Sequence, residues 1–203
     1  IRKQFQGYGQ VLLDEFLLKE IKANSGWWAN KFGYQIGVKY VDAFKIKNFD
    51  LQLESNRTRP FTYTHYDSVS NYSNNNLALA HPLGAGFQEY IVIARYQPLK
   101  KLFLQSKIIY YTQGKDTSGI NFGNNILRDY KTRPTDYGWQ IGAGNKANCF
   151  YMNINGAYEL TENLFLDAGF TIRNVSFTKG ASQNTTMINL GFRWNITKRE
   201  FDF

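Results

Sequence analysis

Apolar and polar side chains alternate with a period of two along most of this chain, the pattern of strands with two unlike faces. In the last stretch Ile188, Leu190, Phe192, Trp194 and Ile196 point one way, and Asn189, Gly191, Arg193 and Asn195 the other. The same period predicts strands over Tyr8–Phe16, Phe32–Val41, Phe49–Asn56, Phe87–Tyr96, Leu102–Thr112, Phe150–Leu160 and Leu164–Val175. Ile91 and Ile93 blur the alternation of the fourth. Asp14 to Ile21 reads as a short helix on a rim.

The connections sort by length. Asp42 to Asn48, Gln97 to Lys101 and Thr161 to Asn163 are short, whereas Leu17 to Lys31, Arg57 to Gly86 and Gln113 to Cys149 are long. The last connection, near Thr178 to Thr185, is modest. In an antiparallel meander every short turn then falls at one end and every long loop at the other. Outer-membrane barrels have this asymmetry, with short periplasmic turns and longer outer loops. A soluble barrel or sandwich has the same alternation, its apolar face being the core. The polar face here mixes Gly, Asn and Gln with Lys39, Lys107, Arg173 and Arg193, and with Asp50, Glu54, Glu89, Glu159 and Asp167. Such charges can pair across a wet lumen. The expected fold is all-β: an antiparallel transmembrane β-barrel of about eight strands in this chain, as one unit over 1–203.

Composition sharpens this picture. No stretch is long and apolar enough for a membrane-crossing helix, yet a crossing strand needs only about nine to eleven residues. Aromatics make up 17% of the chain, and Tyr and Trp favour the boundary between apolar and wet surroundings. The net charge is +8, but the basic residues are scattered among acidic ones and the longest run is Lys198-Arg199. No nucleic-acid partner is expected. Cys149 is alone, so no internal disulfide forms. Ile1-Arg2-Lys3-Gln4 carries no leader, which fits a processed chain or the C-terminal piece of a longer protein. Phe203 is a terminal aromatic of the kind outer-membrane barrels carry. Phe201 and Phe203 have the opposite parity to Ile196, which implies a bulge or an end outside the spanning strand.

Candidate chemistry lies in the long loops. Trp27 and Trp28 can stack on sugar rings or anchor at the membrane interface. The second long loop holds Arg57, Arg59, Tyr63, His65, Tyr66, Asp67, Tyr72 and His81. Guanidinium forks suit carboxylates and phosphates, and Tyr supplies stacking surface. Pro60 and His81-Pro82 equally fit a loop of fixed shape whose polar groups satisfy one another or plug the lumen. His65 with Ser68, Ser70 or Asp67 supplies the residue types of a Ser–His or Asp–His pair, but nothing fixes their geometry. No catalytic residue is expected. Two histidines without nearby cysteine are too few for a zinc site, so no metal or cofactor is expected.

Several segments together resemble a known family. They are Tyr8-Gly9-Gln10-Val11-Leu12-Leu13-Asp14-Glu15-Phe16, Gly26-Trp27-Trp28-Ala29-Asn30-Lys31, Asn56-Arg57-Thr58-Arg59-Pro60 through Tyr63-Thr64-His65, and Leu79-Ala80-His81-Pro82-Leu83-Gly84-Ala85. The chain resembles the C-terminal part of the Wzi-type capsule-assembly family, in the branch with gliding-motility proteins of the RemB type. The resemblance implies a part of a larger barrel in the bacterial outer membrane, with long loops extracellular and the C-terminus periplasmic. It implies a non-enzymatic protein that binds or organises surface or capsular polysaccharide through its loops. Its surroundings would be outer-membrane lipid and lipopolysaccharide. The gliding branch implies an alternative role as an accessory subunit of a gliding-motility or protein-secretion complex. From the residues alone, a diffusion porin is a further alternative.

Overall fold

The computed structural model describes residues 4–67, 70–117 and 119–196. Among them are β1 (Phe5–Glu15), β2 (Lys31–Tyr40), β3 (Phe49–Thr58), β4 (Ser73–Asn74), β5 (Leu77–Ala78), β6 (Phe87–Leu99), β7 (Leu102–Lys115), β8 (Asn145–Thr161), β9 (Leu164–Phe177) and β10 (Gln183–Trp194), with one short helix, α1 (Leu18–Ala23). Every period-two segment is a strand of one 8-stranded antiparallel sheet, ordered β1-β2-β3-β6-β7-β8-β9-β10. No ladder joins β1 to β10 among the described residues. No helix of the described residues is long and apolar enough to cross a membrane.

Several boundaries differ from the sequence reading: β6 runs to Leu99, into the expected turn, and β8 starts at Asn145 rather than Phe150. β10 begins at Gln183, so Gln183, Asn184 and Thr185 are strand residues opposite Val175, Asn174 and Arg173. They have no alternation to reveal them; the hydrogen-bonded neighbour extends them. The helix spans Leu18–Ala23 rather than Asp14 to Ile21. Asp14 and Glu15 stay in β1, because Glu15 pairs with Lys31 across a register shift. The polar stretch near Asn74 carries the small β4–β5 hairpin. Its turn residues Asn75 and Asn76 both have positive φ, 48° and 61°, which Asn tolerates in a two-residue hairpin loop. Ile1, Lys198-Arg199, Phe201 and Phe203 lie outside the described residues, and with them the terminal-aromatic expectation.

The registers put like with like. The row Leu53, Val92, Ile108, Met152 and Ile172 crosses five strands on one face. The next row towards the turns, Leu51, Ala94, Ser106, Ile154, Phe170 and Ile188, is nearly as apolar. This face is bare: Ile36 is 61% exposed, Leu53 50% and Leu190 79%. A soluble sandwich would bury it. The buried side chains of the strands lie on the opposite, polar face instead, among them Thr58, Phe87, Glu89, Gln113, Cys149 and Val175.

Aromatic residues bound the bare face at both ends. At the loop end Tyr90, Tyr110 and Phe150 are direct cross-strand neighbours. At the turn end lie Tyr40, Phe49, Tyr96, Tyr158 and Trp194, with Tyr40 stacked on Phe5 at 4.1 Å. Tyr90 to Tyr96 is about 20 Å along β6, and Phe150 to Tyr158 about 27 Å along β8, at roughly 3.4 Å per residue. The band between them matches the apolar height of a membrane barrel, about 25 Å. The sheet is also curled. Asp50 of β3, Arg95 of β6 and Asn189 of β10 line one cavity of about 880 Å³ at the turn end, although they lie on strands that a flat sheet would hold roughly 24 Å apart at its ends.

Candidate functional site

The three long loops, 16–30, 59–86 and 116–144, fold together over the loop end of the polar face. Their backbones bond to one another: Trp28 N–H donates to Asp136 O at 2.9 Å, Trp139 N–H to Gly26 O at 2.9 Å and Phe61 N–H to Gly123 O at 2.9 Å. Side chains add ties, with the Asn124 amide donating to Ala85 O at 3.0 Å and the Asn71 amide to Ile126 O at 2.9 Å. The Gln113 amide of β7 donates to Leu83 O. Tyr63, Ala85 and Ile126 pack together against Leu12, which β1 presents on the polar face. The loops therefore form one cap seated on the sheet.

Aromatic rings fill the cap. Phe61 is fully buried and lies edge-on to Trp139 at 4.7 Å and to Trp28 at 6.1 Å. Trp28 stacks on Tyr130 at 4.6 Å, and the Arg133 guanidinium lies 3.9 Å from its ring centroid. Lys31 ends beneath them. Its buried ammonium donates to Thr64 O at 2.7 Å, pairs with Glu15 at 3.3 Å and lies 5.1 Å from the Tyr130 ring. A buried ammonium costs several kcal/mol unless partnered in this way.

The predicted site residues separate into different environments. Trp27 and Trp28 meet edge-on at 6.4 Å, and the Trp27 carbonyl accepts from Arg59 at 3.1 Å. Arg59 also reaches Trp139 O at 3.4 Å, so its fork ties two loops together. Burial pushes its pKa down from the ordinary guanidinium value, and the nearby Arg57 charge pushes it further. Arg57 itself is in β3, on the outward face, opposite Tyr34 and Gln88. Tyr63 is buried beside Tyr72, rings 5.8 Å apart. Burial raises the Tyr63 phenol above its ordinary value.

His65 takes a polar contact from Asp14 at 3.6 Å, and its N–H donates to Asn71 Oδ1 at 2.7 Å. Ser68, its candidate catalytic partner, lies outside the described residues. Asp14, Glu15 and His65 offer ligand atoms within 4.8 Å of one another and could hold a cation. The Lys31 ammonium on Glu15 already supplies positive charge there. Tyr66 is 69% exposed, with Lys131 3.7 Å from its ring centroid. His81 stacks on Phe87 at 4.4 Å. Its Nδ1 accepts from Leu83 N–H at 3.2 Å, so Nε2 carries the proton and donates to Glu89 at 3.0 Å. Glu89 also accepts from Asn56, and Asn56 from its other amide hydrogen reaches Glu54, which Tyr8 O–H bonds at 2.6 Å.

Sequence reasoning missed Phe61, Trp139, Tyr130, Arg133 and Lys31, the centre of the cap. The legible signal was Gly138-Trp139-Gln140-Ile141-Gly142-Ala143-Gly144, whose glycines at 138, 142 and 144 all have positive φ. No protein family, curated protein or solved structure matches this chain.

Proposed function

We propose that this chain is part of a β-barrel wall in the bacterial outer membrane, whose joined outer loops present a non-catalytic surface to surface or capsular polysaccharide. The observation that carries the membrane part is the bare apolar face framed by aromatic residues, with the buried side chains on the opposite face. An uncovered apolar surface of that extent needs an apolar solvent or a partner. For polysaccharide, the supporting feature is the outer surface of the cap. Tyr66, Tyr72 and Tyr137 are each more than half exposed, and Lys131 lies against the Tyr66 ring. Trp27 and Trp28 would then act by holding the cap together. The joined cap argues against an open diffusion porin.

Retention of surface polysaccharide by the assembled protein tests this. Replacing Tyr66 and Tyr137 by Ala should lower it while leaving the cap folded, at about 1 kcal/mol per lost stacking ring. Unchanged retention in a folded double variant would defeat the glycan reading. A second reading, docking within a gliding-motility or protein-secretion assembly, draws on the apolar rim at α1. There Phe16, Leu17, Leu18 and Ile21 are exposed by 47%, 47%, 62% and 42%. Loss of a co-purifying protein on L18E/I21E substitution, with polysaccharide retention unchanged, would favour it.

A further inference from the structure

The strands segregate charge by face as well as apolarity. Asp14, Asp50, Glu54, Glu89, Glu159 and Asp167 all fall at polar-face positions. Past the register shift, Glu15 turns to the Lys31 ammonium on that same side. On the outward face of the eight long strands the charged residues are Arg57 and Lys146, both cations, both at the loop end.

Their position relative to the aromatic row is specific. Tyr90, Tyr110 and Phe150 are cross-strand neighbours, and the next row towards the loops is Arg57, Gln88, Thr112, Asn148 and Ser176. Lys146 is one outward position further on β8. Apolar rows thus give way to aromatic, then to hydrogen-bonding, then to cationic positions. That order follows the descent from headgroup to acyl chain.

Among the described residues the charge here has no protein counter-ion. Arg57 and Arg59 lie close enough to repel, and the Nε atoms of both are buried with no hydrogen-bond partner. No carboxylate of the described residues forms a salt bridge with Arg57 or Lys146. The Arg57 guanidinium, at an outward position of β3, has the planar fork that grips a phosphate through parallel hydrogen bonds. Lys146 is exposed, its stem against Gly142, and adds a point charge.

We infer that Arg57 and Lys146 form a phosphate-contacting rim on the outside of the sheet, which holds the phosphorylated headgroups of outer-leaflet lipid at the level just above the Tyr90–Tyr110–Phe150 row. The inference rests on the membrane reading above and adds the lipid chemistry and the residues that meet it. The rim fixes the depth of the wall: aromatics set the apolar boundary, and the two cations tie it to the headgroup plane.

The test uses the full chain in detergent micelles, with diphosphorylated lipid A and its dephosphorylated form as probes, read by native mass spectrometry. The wild type should retain the diphosphorylated lipid roughly tenfold better than the dephosphorylated one, and R57Q/K146Q should lose most of that preference. K146Q alone, at an exposed position, should lose part of it. K107Q, which removes an inward-facing cation, should keep it. Equal retention of the two lipids by the wild type, or an unchanged preference in folded R57Q/K146Q, would overturn the inference. Displacement of the lipid by millimolar inorganic phosphate would also overturn it, since the site would then take any free anion. The membrane reading is checked separately in bilayers with brominated acyl chains, where Trp194, 66% exposed on the outward face, should be quenched and the effect should vanish in W194F. No quenching there, whatever the lipid A result, would sink the membrane reading itself.

Discussion

Trp28 and Tyr130 stack with ring centroids 4.6 Å apart and planes 28° from parallel, although 102 positions (130 − 28) separate them in sequence. Two of the three long loops are joined through this pair, and Arg133 covers the indole from beside Tyr130. Trp28→Ala should loosen the cap by about 2 kcal/mol, the sum of lost stacking and partial burial. Hydrogen exchange should quicken at 130–139 and stay unchanged in β8 and β9. Uniform loss of protection across the sheet would mean that the cap and wall unfold together.

Glycines mark where the loops touch most closely. A Cβ on Gly26 would meet Trp139 N at 2.7 Å, and one on Gly123 would meet Phe61 N at 2.6 Å. Both glycines also have positive φ, 70° and 75°. Gly26→Ala and Gly123→Ala should each cost about 1–3 kcal/mol, from the clash with backbone and the strained φ together. Limited proteolysis of the loops should report it. Gly119→Ala has positive φ but open space around the Cβ, and should cost less.

The outward face can be mapped by spin labels. Labels at Ile36, Leu53, Ile154, Phe170 and Phe192 should respond to a lipid-soluble quencher, and labels at Gln105 and Asn155 to a water-soluble one. Phe170→Arg should destabilise by about 2–4 kcal/mol if that position sits near the bilayer midplane. Water access at the first set would refute the membrane proposal.

Tyr63 makes the cap sensitive to alkali. Burial raises its phenol above the ordinary 10.0, so the folded cap holds it neutral after the unfolded chain has begun to ionise. This contribution is complete below pH 10.0 and is lost as pH rises through the raised folded value. Absorbance at 295 nm should show a late-titrating phenol that disappears in Tyr63→Phe. If Tyr63→Phe removes no late-titrating phenol, the phenol is not held by the cap.

The sheet of this protein was legible because strand periodicity is local. Each of the eight long strands lies where residues such as Tyr34, Ile36 and Val38 alternate with Gln35, Gly37 and Lys39, since successive side chains must point to opposite faces. The sorting of short turns from long loops followed from an antiparallel meander. The start of β10 was not legible, because Gln183, Asn184 and Thr185 are strand residues only through their cross-strand partners Val175, Asn174 and Arg173.

The cap was hidden for a different reason. Trp28, Phe61, Tyr130 and Trp139 lie in three loops and carry no period; only their packing makes them one cluster. The sequence could supply Trp27, Trp28 and Arg59 as ligand-contact candidates, since exposure cannot be read from residue type. Tertiary structure decided that Arg59 bonds the carbonyls of Trp27 and Trp139 and that Trp28 is engaged by Tyr130 and Arg133. Which face is bare was likewise a tertiary fact. Alternation alone gives two unlike faces, and a covering layer decides between core and exterior. Here the covering loops fold onto the polar face, because Lys31, Gln113, Glu89 and Leu12 offer them hydrogen bonds and apolar contact there.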